Sequence, residues 1–334
     1  MKLVLDAMGG DNAPNAAVQG ALRALTVTPN DVHLILIGDK NVISKELNGN
    51  IHDRISIHHT TQTVEMHDSG VSVIKRKPDS PIVKGIRLVK NGEADGFISA
   101  GHTGAVMTAA TLLLGRISNV KRPALGAYIH SETGGKVICD VGANPDAKPE
   151  HLLQFAIMAS HYLEFVEKQK KPKIGLINIG EEPTKGSELY KKAYQLLEKE
   201  LPNFCGNVEG RHLLDSEANV LICDGFVGNT ILKFGEGWMN VFNNTIKFGI
   251  RNSLRYKLGG LLIRPLFNTI KKKYDYEEHG GTPLLGVNGI AIICHGSSGP
   301  KSFLNSILLA KNSIDNKLIE YTKTELAAHL EAYK

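Results

Sequence analysis

A chain of 334 residues, 42% hydrophobic and 22% charged, is long enough to bury a large core, either as one α/β unit or as two lobes around a cleft. It holds no run of about eighteen uncharged apolar residues, and the apolar stretch at Met1 to Leu5 is too short for a secretory signal, so a cytoplasmic protein without a spanning helix is expected. A net charge of +5 is modest for this length and mildly favours acidic partners. Cys139, Cys205, Cys223 and Cys294 stand far apart with no C-x-x-C pair, and read as buried free thiols rather than a zinc or redox site.

Lys2 to Asp6 reads as a first strand, Ala7 to Pro14 as a glycine-containing turn, and Asn15 to Leu25 as a helix. A dinucleotide fingerprint would place G-x-G-x-x-G in this turn; only Gly9-Gly10 is present, which weakens a nicotinamide reading. Asp6 and Asp11 suit either a cleft or the structural duties of a strand end and a turn cap. Val32 to Gly38 is a continuous apolar run, the pattern of a strand buried on both faces of a parallel sheet. Arg54 to His58 makes a third strand, and Ser80-Pro81 opens a helix through Ile82, Ile86 and Val89. His58, His59 and His67 lack metal-ligand spacing and are read as surface histidines.

The chemistry is expected around Gly96 to Ala105, where an apolar strand runs into a turn of small residues and then a helix. The first N–H groups of a helix lack intrahelical partners and carry the positive end of its dipole, so they can hold an oxyanion. Gly101 and Gly104 leave room for it, and Ser99 and Thr103 add hydroxyl donors. The same small residues also suit an ordinary tight strand-to-helix turn. Ala105 to Leu114 continues as a helix with few polar positions, which predicts burial.

Pro123 to His130 and Lys136 to Val141 form a predicted hairpin, so the sheet is expected to be mixed. The second of these strands ends in Asp140-Val141-Gly142-Ala143-Asn144. A helix from Pro149 to Glu167 leads to a buried strand at Lys173 to Gly180, then to a loop holding Lys185 at a helix entrance, where a cation suits either an anion or solvent. Val220 to Cys223 runs into Asp224 to Thr230 and a long helix through Leu232, Phe234, Trp238 and Phe242. Gly289 to Cys294 runs to His295-Gly296-Ser297-Ser298, with a helix from Lys301. Five strand ends thus share glycine, amide, hydroxyl and acid, a recurrence that predicts one lined cleft.

In this order Asp6 to Asp11, Ser99 to Ala105, Asp140 to Asn144, Asp224 to Asn229 and His295 to Ser298 resemble the bacterial phosphate acyltransferase family of phospholipid synthesis, over essentially the whole chain. The resemblance implies an α/β fold, a three-layer α/β/α sandwich with a mostly parallel mixed sheet, similar to phosphotransacetylases and the isopropylmalate dehydrogenase group. It implies a single catalytic unit over residues 1–334, transfer of a fatty acyl group from acyl carrier protein to inorganic phosphate, and an acyl phosphate for glycerol-3-phosphate acylation. A homodimer on the inner face of the cell membrane follows from the same resemblance, with the acyltransferase that consumes acyl phosphate as a further candidate partner and no nucleic acid. By it, Lys185 matches a lysine that holds phosphate and Asn229 an amide that donates to the carbonyl oxyanion. Ser99, Gly101, His102, Thr103, Gly104, Asn144 and His295 are the expected phosphate and substrate contacts. His102 departs from the family pattern, which often carries Asn there.

Oriented phosphate is itself an adequate nucleophile, and the apolar settings of the cysteines argue against an acyl-enzyme, so direct attack is expected. His102 and His295 are each candidates for a proton acceptor or a structural role. No metal ligand set is evident and no cofactor is expected. The rival reading is a metal- and nicotinamide-dependent hydroxyacid dehydrogenase of related fold; it needs clustered aspartates, and Asp140 with Asp146 is the closest approach. A noncatalytic membrane scaffold is a third reading, which leaves the polar strand ends idle. Within the segment 247–275, Leu254, Leu258, Leu261, Leu262 and Leu266 recur among Arg251, Arg255, Lys257, Arg264 and Lys271-Lys272-Lys273. Gly259-Gly260 and Pro265 predict two short amphipathic helices that protrude onto an anionic bilayer, an acidic carrier protein or a dimer partner.

Overall fold

The computed structural model describes residues 1–50, 52–131, 134–252, 254–274 and 276–331; the side chains at 252, 254, 268, 270–274, 276 and 329–331 also lie outside the description. The first part of the chain alternates strand and helix: β1 (Lys2–Asp6), α1 (Asn15–Leu25), β2 (His33–Gly38), α2 (Lys40–Leu47), β3 (Ile55–His59), α3 (Gly70–Arg76), α4 (Pro81–Lys90), β4 (Gly96–Ser99) and α5 (Thr103–Ala109). A hairpin, β5 (Ala124–Ser131) and β6 (Gly134–Cys139), precedes α6 (Pro149–His161), β7 (Ile174–Asn178), α7 (Glu188–Glu200), β8 (Phe204–Glu209) and β9 (Val220–Ile222). Two long helices, α8 (Gly225–Asn252) and α9 (Leu254–Tyr274), then lead to β10 (Thr282–Leu285), β11 (Ile290–Ile293), α10 (Pro300–Asp315) and α11 (Leu318–Glu331).

These strands make one sheet, in the order β3-β2-β1-β4-β11-β10-β5-β6-β9-β7-β8. Successive side chains leave a strand on opposite faces, and both faces of β1 are buried: Leu3 and Leu5 join a core with α1, α6 and α10, while Val4 faces a second core with α4 and α5. Helices therefore cover both sides of the sheet, which makes the expected three-layer sandwich. Sheet pairing is mostly parallel, but β11–β10, β10–β5 and β5–β6 are antiparallel. Three successive reversals turn the β6-β9-β7-β8 half against the β3-β2-β1-β4-β11 half. The carboxyl ends of the strands, where α/β sheets place ligands, consequently open in two groups.

Several local expectations are corrected. Beyond α5 the backbone widens into a π-helical turn at Ala110–Leu114, and although Ala105, Val106, Ala109 and Ala110 are buried, Leu112 is 60% exposed. The helix predicted to end at Gly259-Gly260 does not break there. α9, described from Leu254, continues through both glycines and Pro265. An interior glycine costs a helix only about 1 kcal/mol, and at Gly260 it lets α9 approach Ile250 of α8, where an added Cβ would stand 3.2 Å from Cδ1. β8, β10 and α11 were not read from the sequence, since β8 has weak alternation and β10 contains Pro283.

Candidate active site

The first group of strand ends is closed by a buried carboxylate. Asp6, ending β1, accepts from Ser99 Oγ at 2.7 Å and from Met8 N at 3.0 Å, and Ser99 Oγ in turn accepts from Gly101 N at 2.9 Å. Burial pushes the Asp6 carboxyl up, and the Ser99 hydrogen bond partly offsets it. The β1 and β4 loops touch backbone to backbone: an added Cβ at Gly9 would lie 2.6 Å from Gly101 N. Asp11 N donates to Gly296 O at 2.7 Å, Asn12 Nδ2 to Ser297 O at 3.0 Å and Cys294 N to Ser99 O at 2.8 Å, so the β11 loop is locked onto the other two. The Asp6 side chain therefore serves the loops, as the structural alternative had it, whereas Asp11 joins them through its backbone N–H.

At the start of α5, His102 supplies the N-cap, its Nδ1 accepting from Ala105 N at 3.1 Å. An imidazole thus does what an Asn, Asp or Ser oxygen does at other helix starts, and the neutral ring must then carry its proton on Nε2. Thr103 is exposed, while Gly101, His102 and Gly104 are half-buried. Within this turn Gly101 N is already spent on Ser99 Oγ.

The second group is built around Asp140, also fully buried, where β6 ends. Its carboxylate accepts from Leu125 N at 3.0 Å, Ala143 N at 3.1 Å, Asn144 N at 2.6 Å and Asn144 Nδ2 at 2.9 Å. Burial raises its pKa against the pull of these donors. Asn144 spends its other amide hydrogen on Pro123 O at 2.7 Å, so its NH2 group holds the loop and not a substrate. Asp224 caps α8, accepting from Phe226 N at 2.9 Å and Val227 N at 3.0 Å, and takes the Tyr190 hydroxyl of α7 at 2.7 Å. At Gly228 an added Cβ would collide with the Asp140 carbonyl oxygen, and at Gly225 it would lie 2.8 Å from Asn144 N.

Asn229 follows from that packing. It was expected in a loop, but the helix starts at Gly225, so Asn229 projects from the second turn of α8, exposed, with its Cβ 3.6 Å from the Cβ position of Gly142. Lys185 does lie in a loop, beyond β7, the strand next to β9. Its ammonium is half-exposed, 3.6 Å from Glu182 Oε1. A pair of buried amides the sequence reading passed over holds this loop: Asn178 Nδ2 donates to Lys185 O and to Asn207 Oδ1, both at 3.1 Å, and Asn207 Nδ2 to Glu182 O at 2.9 Å.

α8 joins the two groups. One turn beyond Asn229, Lys233 Nζ lies 3.1 Å from His295 Nε2 of the β11 loop and 2.8 Å from Glu236 Oε2. His295 Nδ1 stands 2.7 Å from Ser297 Oγ. The sequence reading missed Lys233 and Glu236, although the i, i+4 and i+7 spacing from Asn229 already put all three on one helix face. The cysteines are free, and burial raises the thiol pKa of each, Cys294 to about 11. Raised thiols are poor nucleophiles at neutral pH. Among the described residues no three His, Cys, Asp or Glu side chains converge as a metal site would require, and the four donors on Asp140 occupy the carboxylate a dehydrogenase metal would need.

The fold is a three-layer α/β/α sandwich with backbone donors, amides and lysines at its strand ends. The architecture is similar to a phosphotransacetylase from Streptococcus pyogenes, at a TM-score of 0.58 and 17% identity over 94% of each chain. It is also similar to a branched-chain phosphotransacylase from Enterococcus faecalis V583, at 0.56 and 14% over 94% of this chain and 99% of that one. The chain belongs to the family described as fatty acid synthesis protein, which matches residues 1–321. Two of its relatives are the phosphate acyltransferases of Desulfitobacterium hafniense (strain DSM 10664 / DCB-2), 48% identical over 328 residues and 98% of each chain, and of Heliobacterium modesticaldum, 43% over 336 residues and 99% of each.

Proposed function

We infer that this enzyme transfers a fatty acyl group from acyl carrier protein to inorganic phosphate, making acyl phosphate for phospholipid synthesis. The observation that carries the reading is 48% identity to a phosphate acyltransferase along 98% of both chains. The dehydrogenase alternative is not favoured.

In the reaction a phosphate oxygen bonds to the thioester carbonyl carbon, the C–S bond breaks, and its electron pair leaves on sulfur. The proton of the attacking hydrogen phosphate passes to that sulfur, so acyl phosphate and carrier thiol are formed in balance. Lys185 suits the phosphate, as an exposed ammonium at the carboxyl end of a buried strand. Asn229 suits the oxyanion that develops on the carbonyl oxygen, since it carries an exposed amide on a rigid helix. The turn from Gly101 to Gly104, with Thr103 and the Nε2–H of His102, supplies further donors for an anion. Direct attack needs no thiolate from the protein, in keeping with the raised cysteines.

The α8–α9 pair supports two further parts of the reading, a homodimer and attachment to an anionic membrane surface as a single catalytic unit with a protruding arm. No helix among the described residues is long and apolar enough to cross a membrane. Phe234, Trp238 and Phe242 recur every four residues on α8, exposed by 72%, 63% and 52%, on the side away from Asn229 and Lys233. Leu258, Leu261 and Leu262 are likewise exposed on α9, whereas the side chain of Leu254 lies outside the described residues. An apolar row of this size on one chain asks for a covering surface. A second copy suits α8, and lipid suits α9, where Arg255, Lys257 and Arg264 flank the leucines.

The test is release of carrier thiol by the purified protein. Thiol and acyl phosphate should appear only when phosphate and acyl thioester are both present. Turnover that needed a nicotinamide would overturn the reading.

A further inference from the structure

We propose that Lys233 is a catalytic residue of this reaction, a second cation that binds the attacking phosphate between the two groups of strand ends. The proposal rests on the acyl-transfer reading above.

Its position is the first argument. Asn229 and Lys233 are four residues apart on α8 and share one face, so any molecule in contact with the Asn229 amide lies along the row that leads to the Lys233 ammonium. Asn229 stands over Gly142 in one group of loops, and Lys233 reaches His295 in the other. The β11 loop it touches is bonded to the β4 loop through Cys294 N and Ser99 O, at 2.8 Å, and the β4 loop carries the donor turn at Gly101 to Gly104. Lys233 is thus the cation on α8 nearest to that turn in connectivity, and it connects the turn to Asn229.

Its partners are the second argument. An ammonium has three donors. Glu236 Oε2 at 2.8 Å and His295 Nε2 at 3.1 Å occupy two directions and hold the side chain between α8 and the β11 loop, which leaves the third for a phosphate oxygen. The group is more than half exposed, and exposed ion pairs add little to stability, so the arrangement is poorly explained as a fold-holding contact. Lys136 shows what a structural lysine looks like in this chain: fully buried, with Nζ donating to Ala218 O at 2.5 Å and Ser216 O at 2.6 Å.

The chemistry is the third. Hydrogen phosphate brings about two negative charges toward a carbonyl that becomes an oxyanion, and the repulsion between them is lowered when cations hold the phosphate oxygens. Lys185 alone leaves much of that charge unmatched. Glu236 acts through Lys233 and is a positioning residue.

The experiment uses the full-length enzyme and its Lys233→Ala, Lys233→Arg and Glu236→Gln variants. Initial rates of carrier thiol release are measured while phosphate and acyl carrier protein thioester are titrated separately, and each thermal midpoint is recorded. Loss of one charge-assisted contact predicts that Lys233→Ala raises the KM for phosphate about tenfold or more, with the KM for the acyl thioester and the thermal midpoint unchanged. Lys233→Arg recovers most of the phosphate affinity, and Glu236→Gln falls between. An unchanged phosphate KM in Lys233→Ala, or an equal loss for both substrates with a lowered midpoint, overturns the proposal alone. A wild-type protein without phosphate-dependent thiol release overturns the acyl-transfer reading and this proposal with it.

Discussion

The two ends of the α8–α9 arm obey different rules. At its base, residues 225–233 press onto the Asp140 loop, and Gly225 and Gly228 are glycines because a Cβ has no room there. Further out, Gly235, Gly237, Gly249 and Gly259 have nothing within 4 Å of an added Cβ, and the surrounding aromatics and leucines are exposed. The same residue type is obligatory at one end and a small helix penalty at the other. Contacts with the Asp140 loop hold the base of the helix from which Asn229 projects; the outer glycines meet no such packing among the described residues, and the exposed aromatics and leucines there suit a surface supplied from outside.

That contrast can be broken experimentally from the outside inward. Leu258→Glu with Leu262→Glu should release the protein from anionic vesicles in a sedimentation assay while turnover in solution persists, because two buried leucines are worth about 3–6 kcal/mol of membrane binding. A double variant that stays bound removes α9 from the membrane. At the base, Lys185→Ala and Asn229→Ala should each cost on the order of 100-fold in turnover at unchanged thermal midpoint, the usual loss for a donor to a developing oxyanion or its attacking anion. Near-normal activity in both folded variants would move the site elsewhere. Gly228→Ala should destabilise by about 1–3 kcal/mol in urea titration through overpacking on Asp140. Gly235→Ala, two turns further along the same helix, should instead stabilise by about 0.5–1 kcal/mol, because alanine is the better helix former where nothing collides. If both behave alike, base and outer part do not differ as described. The smallest effect is expected from Cys205→Ala and Cys294→Ala, which should leave the turnover number at the wild-type level, and a trapped acyl-cysteine at any position would replace direct attack with an acyl-enzyme.

Much of this was legible in the residues. Continuous apolar runs at Leu3 to Leu5, Leu34 to Ile37 and Ile174 to Ile177 announced strands buried on both faces, since a strand covered by helices on each side has no polar face to show. The match of the Asp-, Gly- and Asn-bearing strand ends, in their order, to one family carried the activity.

What the residues did not disclose depends on pairing across the sheet and on contacts between distant loops. The antiparallel pairings β11–β10 and β10–β5 were not read from the sequence, because a strand's direction is defined only by its neighbours; together with the predicted β5–β6 hairpin they decide that the strand ends open in two groups. Asn144 reads as a substrate amide from its motif and turns out to be spent on Pro123 and Asp140. Lys233 reads as one more exposed lysine until α8 brings it to His295, 62 positions away in sequence. Even the continuity of α9 through Gly259-Gly260 and Pro265 is a tertiary outcome, in which packing against α8 outweighs local helix propensity. Local sequence determined the strands, the turns and the chemistry available at their ends; tertiary structure decided which of those groups face one another, because that depends on distances between residues the chain itself keeps far apart.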